Sequence, residues 1–272
     1  MNITVPLFVM TILVFGFIMQ PNVFGSNEKK EEREFKIPPG LSEISPGVFS
    51  LGKSKDVNGN EVEGIMFIHS KKEFLKPSGG GKPTGQTCYA FLTKGGVKWT
   101  SPEPWIVNPT NSRGLNSDFI LSNIESNIAK WEDASDGVLG NGGVEIMGPG
   151  SSTNLALSAD SSSTDGKNEI YFANISTTAT IAVTTTWYNT FTKQIVEMDQ
   201  VFDDTDFYWS ASGEAGKMDF ENISTHELGH GVGMGHPSDS CTQETMYRYA
   251  SNGETIKRSL NSGDIAGINA LY

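Results

Sequence analysis

Three histidines and one glutamate lie close together in the sequence and could form a metal centre. His226 and His230 are four residues apart, so on a helix their imidazoles would share one face. Gly233 follows three residues later, and because glycine accepts a positive φ, the helix can end there and return His236 to the same point. Three imidazoles leave one position of a zinc ion open, as in catalytic sites. We therefore predict one zinc ion on His226, His230 and His236.

Glu227 adds the second half of the chemistry. It follows His226 directly, and its side chain can reach a water molecule on the ion. Zinc lowers the pKa of bound water towards about 7 and polarises a carbonyl group. A carboxylate beside it can take the water proton and deliver it to a leaving amine. The pattern predicts a zinc-dependent endopeptidase that hydrolyses internal peptide bonds of polypeptides, with Glu227 as the general base.

Two other interpretations compete with this one. A solvated, histidine-rich helix end would explain the histidines without a metal, but it requires several specified positions to coincide by chance. A non-catalytic zinc module would use the histidines but not Glu227. Only four histidines occur in the chain, and the fourth, His69, lies in an apolar run. We expect His69 to be a packed or surface histidine rather than a ligand.

The hydrophobic pattern predicts the elements that position the motif. Apolar residues at steps of three and four predict an amphipathic helix over residues 115–131, capped by Asn116 or Ser117. The motif itself predicts a helix over residues 222–233, and residues 264–272 a short final one. Strands are predicted at residues 47–51, 64–69, 105–107, 169–172, 180–184 and 194–198. Strands and helices do not alternate as strict βαβ units, so the predicted class is α+β.

Composition changes divide the chain into three parts. Residues 1–25 contain a short apolar run that ends at small residues, which is typical of a secretory signal peptide, and an uncleaved membrane anchor is the alternative. Residues 26–86 are predicted to hold a charged linker and a small β-rich segment, with a flexible break at 77–86. Residues 87–272 are predicted to be the catalytic domain. Both interpretations of the N-terminus place the protein outside the cytoplasm, in the extracellular space or on the cell surface.

Charge and cysteine content limit the partners. The chain has 20 Lys+Arg against 32 Asp+Glu, a net charge of -12, and no basic cluster. Nucleic acid is therefore not an expected partner. We expect a monomer, with membrane contact only if the N-terminal segment is not cleaved. The two cysteines, Cys88 and Cys241, form an even count in an exported chain, which favours one disulfide over two free thiols.

The motif resembles that of the metzincin metallopeptidases, whose zinc sequence is followed by a turn containing methionine. Met246 stands at a suitable distance after His236. Among metzincins the chain is most similar to the matrixins: Tyr247 follows Met246, Asp239 lies three residues after His236, and residues 264–272 resemble the closing helix. The resemblance implies a zincin domain with a twisted mixed sheet, a long zinc-binding helix and a Met-turn at Met246. It also implies a cleft along a sheet edge, where an extended peptide could add as a strand.

The chain also departs from the matrixin pattern. Pro237 replaces the Ser or Thr usual after the third histidine, and too few histidines remain for the family's structural zinc. Cys88 lacks the surroundings of the inhibitory cysteine of that family, and residues 26–86 do not resemble its propeptide. A set of four aspartates could bind calcium or form a solvated acidic loop, and both interpretations stay open: Asp199, Asp203, Asp204 and Asp206.

Overall fold

The computed structural model describes Met1 and residues 33–71 and 87–272. The predicted signal peptide, most of the predicted charged linker and the predicted break at 77–86 lie outside the described residues. Among the residues described, no helix is long and apolar enough to cross a lipid bilayer.

A large mixed sheet forms the framework of the described chain. Its eight-strand path has the order β2-β3-β4-β9-β10-β8-β6-β7, and β1 and β14 pair with β8 and β4 beside that path. The strands of this sheet are β1 (Glu34–Phe35), β2 (Ser42–Ser45), β3 (Val48–Lys55), β4 (Glu61–Lys71), β6 (Glu103–Asn108), β7 (Met147–Ser152), β8 (Glu169–Ile175), β9 (Thr180–Asn189), β10 (Ile195–Asp203) and β14 (Tyr249–Ala250). Two small pairs complete the strands: β5 (Ala90–Phe91) with β13 (Met234–Gly235), and β11 (Trp209–Ser210) with β12 (Met218–Asp219).

The described residues also form three α-helices: α1 (Ser117–Asp133), α2 (Phe220–Gly231) and α3 (Ser262–Leu271). Helix α1 contacts β7 and α2, and α2 contacts β9 and β10 of the sheet. Helix α1 begins where Asn116 accepts a hydrogen bond from the Phe119 amide, and it buries Ile120, Ile124 and Trp131. These bounds agree with the predicted helices to within two residues. Together the sheet and helices give an α+β architecture, which confirms the predicted class.

The hairpin of β3 and β4 does not stand apart from the strands that follow it in the chain. Strands β3 and β4 form the predicted hairpin around residues 56–60, but β4 also pairs with β9 along its length, from Val62 opposite Asn189 to Ser70 opposite Thr180. The described residues 33–71 and 87–272 consequently form one compact unit. The sequence predicted a small β-rich segment here, set off from the domain that follows. The pairing of β4 with β9 was not predicted, because pairing between strands that are far apart in the sequence leaves no local pattern. In the fold, the hairpin extends the main sheet.

Candidate metal centre

Helix α2 and the turn after it carry the predicted ligands. Asp219 caps the helix by accepting a hydrogen bond from the Asn222 amide at 3.0 Å. At the other end the Trp99 indole donates to the Gly231 carbonyl at 2.9 Å, which satisfies one of the carbonyls that a helix end leaves unpaired. Gly233 then adopts a φ of +102°, and a Cβ there would lie 2.2 Å from the Val97 carbonyl oxygen. Only glycine fits this reversal, which returns His236 towards the helix.

The three histidines converge at their Nε2 atoms. The distances are 3.1 Å from His230 to His226, 3.1 Å from His230 to His236 and 3.3 Å from His236 to His226. Ligands at the usual zinc–nitrogen distance in a tetrahedral site would lie about 3.3 Å apart. The observed triangle therefore has the dimensions of three ligands on one ion.

The positions of the imidazole protons also fit three ligands on one ion. Nδ1 of His226 lies 2.7 Å from the Thr245 carbonyl oxygen, and Nδ1 of His230 lies 2.9 Å from that of Met234. A carbonyl can only accept, so both Nδ1 atoms carry the proton and donate it. Burial lowers the pKa of His226 well below its ordinary value, and burial lowers that of His230 to about 4. Both rings are therefore neutral, and their bare Nε2 lone pairs face each other, an arrangement that a cation would stabilise.

Met246 lies directly beneath the helix that holds two of these rings. It is fully buried, and a Cβ on Gly229 of α2 would lie 2.2 Å from its sulfur. The backbone around Met246 is held by Asp264 of α3, which accepts hydrogen bonds from the amides of Thr245 at 2.7 Å and Met246 at 3.1 Å. The sequence indicated Asp264 only as part of a closing helix; its contact with this turn follows from the tertiary packing.

Glu227 is fully buried and both of its carboxylate oxygens have partners. Oε2 accepts a hydrogen bond from the Thr184 hydroxyl of β9 at 2.6 Å, and Oε1 lies 2.9 Å from Nδ1 of His69 on β4. His69 is itself 1% exposed, and its ring lies 4.2 Å from that of His226. His69 is thus packed, as the sequence predicted, but its packing partner is the candidate general base. The sequence carried one signal for this position. Ile65, Phe67 and His69 occupy alternate positions of an apolar strand, so their side chains share one face.

The predicted disulfide is present. Cys88 and Cys241 are bonded, with their Cα atoms 5.6 Å apart, and they are 153 positions apart in the sequence. The bond joins the segment before β5 to the loop that follows His236.

The four aspartates proposed for calcium do not form one group. Asp199 accepts from the amides of Asp160 and Glu169, and Asp203 accepts from the amides of Ile175 and Thr205. Asp204 binds the Ser112 amide, while Asp206 is exposed. Asp199 and Asp203 are buried because they belong to β10, which extends further than the sequence predicted. They anchor neighbouring backbone and are not positioned as a shared cation site.

A different acidic group occurs nearby. One carboxylate oxygen from each of Asp160, Asp165 and Glu197 lies within 4.8 Å of the others. Glu197 is fully buried, and one of its oxygens has no hydrogen-bond partner. Burial, with Asp160 and Asp165 close by, raises the pKa of Glu197 to about 8. The sequence did not indicate this group, because Glu197 is separated from the loop that carries the two aspartates.

The mixed sheet, the helix with two histidines and the returning third histidine together define an α+β fold of the zincin type. Comparison with known proteins gives a family match for part of the chain. Residues 160–272 match the model of the matrixin family. This stretch contains α2, all three convergent histidines, Met246 and α3.

Individual relatives match a shorter stretch. Matrilysin of Rattus norvegicus and matrilysin of Homo sapiens are each 41% identical to the chain over 69 residues, 25% of this chain and 25% of their own length. Metalloendoproteinase 1 of Glycine max is 40% identical over 75 residues, 25% of this chain and 24% of its own length. The matched part thus spans about a quarter of each relative.

Proposed function

We propose that this protein is an exported zinc-dependent endopeptidase in which His226, His230 and His236 bind the metal and Glu227 is the general base. One observation carries the proposal: the Nε2 atoms of His226, His230 and His236 lie 3.1–3.3 Å apart, beside the buried carboxylate of Glu227. The matrixin match over the same residues supports it.

The bound metal would supply a Lewis acid that acidifies a water molecule and polarises the scissile carbonyl. The protein's own groups complete the chemistry. The carbonyls of Thr245 and Met234 fix the orientation of two imidazoles, so that their Nε2 lone pairs point inward. Glu227 takes a proton from the attacking water and passes it to the leaving amine. Thr184 orients the carboxylate through its hydroxyl.

Glu227 also favours catalysis over a non-catalytic zinc module. A carboxylate at the centre of the fold, shielded from solvent, costs free energy unless it is paired. A purely structural zinc site has no need for such a group next to its ligands. The disulfide supports export, since such bonds persist mainly in oxidising compartments. The predicted signal peptide or anchor at residues 1–25 remains a prediction, as do monomeric state and any calcium site.

Zinc content and hydrolysis test the proposal together. We expect one zinc per chain by elemental analysis, strongly reduced in His226→Ala and His236→Ala and retained in Glu227→Ala. We expect casein hydrolysis, assayed on the intact chain and after limited proteolysis, to be abolished by a chelator and by Glu227→Ala. Zinc content unchanged in a variant lacking all three histidines would contradict the metal assignment. Undiminished hydrolysis by Glu227→Ala would contradict the assignment of the base.

A further inference from the structure

A group of acidic side chains lies on the face of the sheet that is turned away from the three histidines. A Cβ on Gly231 of α2 would lie 3.2 Å from the sulfur of Met198 and 3.6 Å from Nε2 of Gln200, so these two residues of β10 face α2. Successive residues of a strand point to opposite faces. Glu197 and Asp199 therefore point away from α2, and both are buried, at 0% and 2% exposure.

Residues 158–166 form a loop that is hydrogen-bonded onto this second face. Near one end of the loop, the Trp187 indole of β9 donates to the Asp160 carbonyl at 3.0 Å. At the other end, the Gly166 amide donates to Oε2 of Glu197. The loop is thus held at two points, and it brings its own carboxylates next to the buried one of β10.

Three carboxylates converge where the loop meets the strand. One oxygen from each of Asp160, Asp165 and Glu197 lies within 4.8 Å of the other two. Calcium binds oxygen ligands at about 2.3–2.6 Å, so two ligands on opposite sides of one ion lie about 5 Å apart. The three oxygens are therefore close enough together to bind the same ion.

A second observation is that buried oxygens of this group have no donor facing them. Among the described residues, Oε1 of Glu197, Oδ2 of Asp160 and, in the same loop, Oγ1 of Thr164 are buried atoms without a hydrogen-bond partner. Burying such groups unpaired costs free energy. A proton shared between Asp160 and Glu197 is one way to satisfy the pair. A cation is the other, and it would bind Asp165 as well.

The surrounding charge favours the cation. Two further carboxylates, those of Glu169 and Asp199, are buried beside the group and interact with it. Lys167 is the only basic residue between positions 158 and 169, and its ammonium group pairs with Asp165 at the surface. Five carboxylates therefore lie close together with one ammonium group, and a divalent cation would offset the surplus of negative charge.

We propose that Asp160, Asp165 and Glu197 bind one calcium ion, which fastens the loop to β10. The three ligands are oxygen atoms, the kind that calcium prefers, and the exposed Asp165 gives the ion access from solvent. This set shares no residue with the four aspartates that the sequence suggested for calcium. The site lies across the sheet from the three histidines, so the inference is independent of the proposed function.

Calcium titration of the full chain tests this site. The protein is first dialysed free of calcium with one equivalent of zinc present. Calorimetry with calcium chloride should then show one ion bound per chain, with a Kd of about 10⁻⁵–10⁻³ M. Magnesium chloride should bind at least tenfold more weakly, because magnesium demands near-octahedral geometry at about 2.0–2.1 Å. Saturating calcium should also raise the thermal unfolding temperature, since the ion binds the folded chain only.

Two variants and a matched control locate the ion. Asp165→Asn changes an exposed ligand and should fold normally, while Glu197→Gln changes the buried one. Asp206→Asn is the control, because Asp206 is an exposed aspartate of the acidic stretch after β10. We expect both ligand variants to bind calcium at least tenfold more weakly and to lose the calcium-dependent rise in unfolding temperature. The control should keep both. Unfolding without calcium shows that each variant is folded.

Three outcomes would overturn the proposal. The first is the absence of any heat of binding up to millimolar calcium, which would leave the shared proton as the explanation of the pair. The second is binding that survives in Asp165→Asn and Glu197→Gln but is lost in Asp206→Asn, which would place the cation elsewhere. The third is equal affinity for magnesium and calcium, which would refute calcium as the specific ligand.

Discussion

Nδ1 of His69 and Oε1 of Glu227 lie 2.9 Å apart, although 158 positions separate the two residues in sequence. The contact joins the hairpin of β3 and β4 to helix α2, and both side chains are shielded from solvent. It therefore links β4 directly to the proposed general base. The first prediction concerns this pair.

His69→Ala should destabilise the intact chain by about 1–3 kcal/mol, because it leaves one buried carboxylate oxygen without its partner. Urea unfolding of the intact chain measures this change. Zinc content should stay at one per chain, since His69 is not among the three convergent ligands. A loss of zinc equal to that of His226→Ala would contradict this separation of roles.

Gly233→Ala should lower zinc affinity by at least tenfold. The new Cβ would lie 2.2 Å from the Val97 carbonyl oxygen, so the turn that returns His236 must shift. Gly216→Ala is a matched control, because Gly216 also has a positive φ, +84°, but nothing lies within 4 Å of its Cβ position. Competition with a zinc-binding dye compares the two variants. The interpretation fails if both lose the same affinity.

Asp264→Asn should destabilise the fold by about 1–3 kcal/mol, since an amide cannot accept all the backbone hydrogen bonds that the carboxylate accepts from Thr245, Met246 and Asn261. Thermal unfolding measures the loss. Asp136→Asn, at an exposed position after α1, is the control and should change little. If the two variants unfold at the same temperature, Asp264 does not stabilise the backbone around Met246.

Removal of the disulfide should destabilise the protein by about 2–5 kcal/mol, because the bond closes a long loop in the unfolded chain. The double variant with Cys88→Ser and Cys241→Ser tests this loss of stability without a reducing agent. Wild-type protein unfolded with and without a reducing agent should show the same difference. Equal stability of the oxidised and reduced forms would contradict it.

Stability should fall as pH rises from about 5 to 8, in part through Glu197. Its pKa is raised to about 8 by burial and by neighbouring carboxylates, so the folded chain holds a proton that the unfolded chain releases near its ordinary value. Folding is therefore favoured at low pH, and this contribution disappears as pH passes the folded pKa. Urea midpoints between pH 5 and 8.5 should fall less steeply in Glu197→Gln than in wild type. Glu125 is exposed, so the urea midpoint of Glu125→Gln should change with pH as it does in wild type. If the midpoint of Glu197→Gln changed with pH just as steeply as that of wild type, the assignment to Glu197 would be refuted.

The sequence predicted helices and turns well where they depend on the spacing of residues that are close together in the chain. The spacing of Ile120, Ile124 and Trp131 specifies α1, and the histidine spacing specifies α2 because only a helix places His226 and His230 on one face. The return of His236 was predictable as well, since Gly233 permits a backbone conformation that other residues resist. These features depend on neighbours within about ten residues.

What the sequence did not predict depends on pairing between distant segments. His69 lies in a strand whose partner, β9, is more than a hundred residues away, and no local pattern identifies that partner. The same limit applies to Asp199 and Asp203. Their acidic character suggested a cation site, whereas their position in β10 makes them acceptors for the backbone of adjacent segments.

The unlike neighbours of β4 have a consequence for the order of the strands along the chain. β4 runs antiparallel to β9 and parallel to β14, and the two kinds of ladder place their hydrogen-bonding groups at different spacings. Both ladders form together only when the chain runs in the direction that β4 has, so the polarity of this one strand is fixed from two sides.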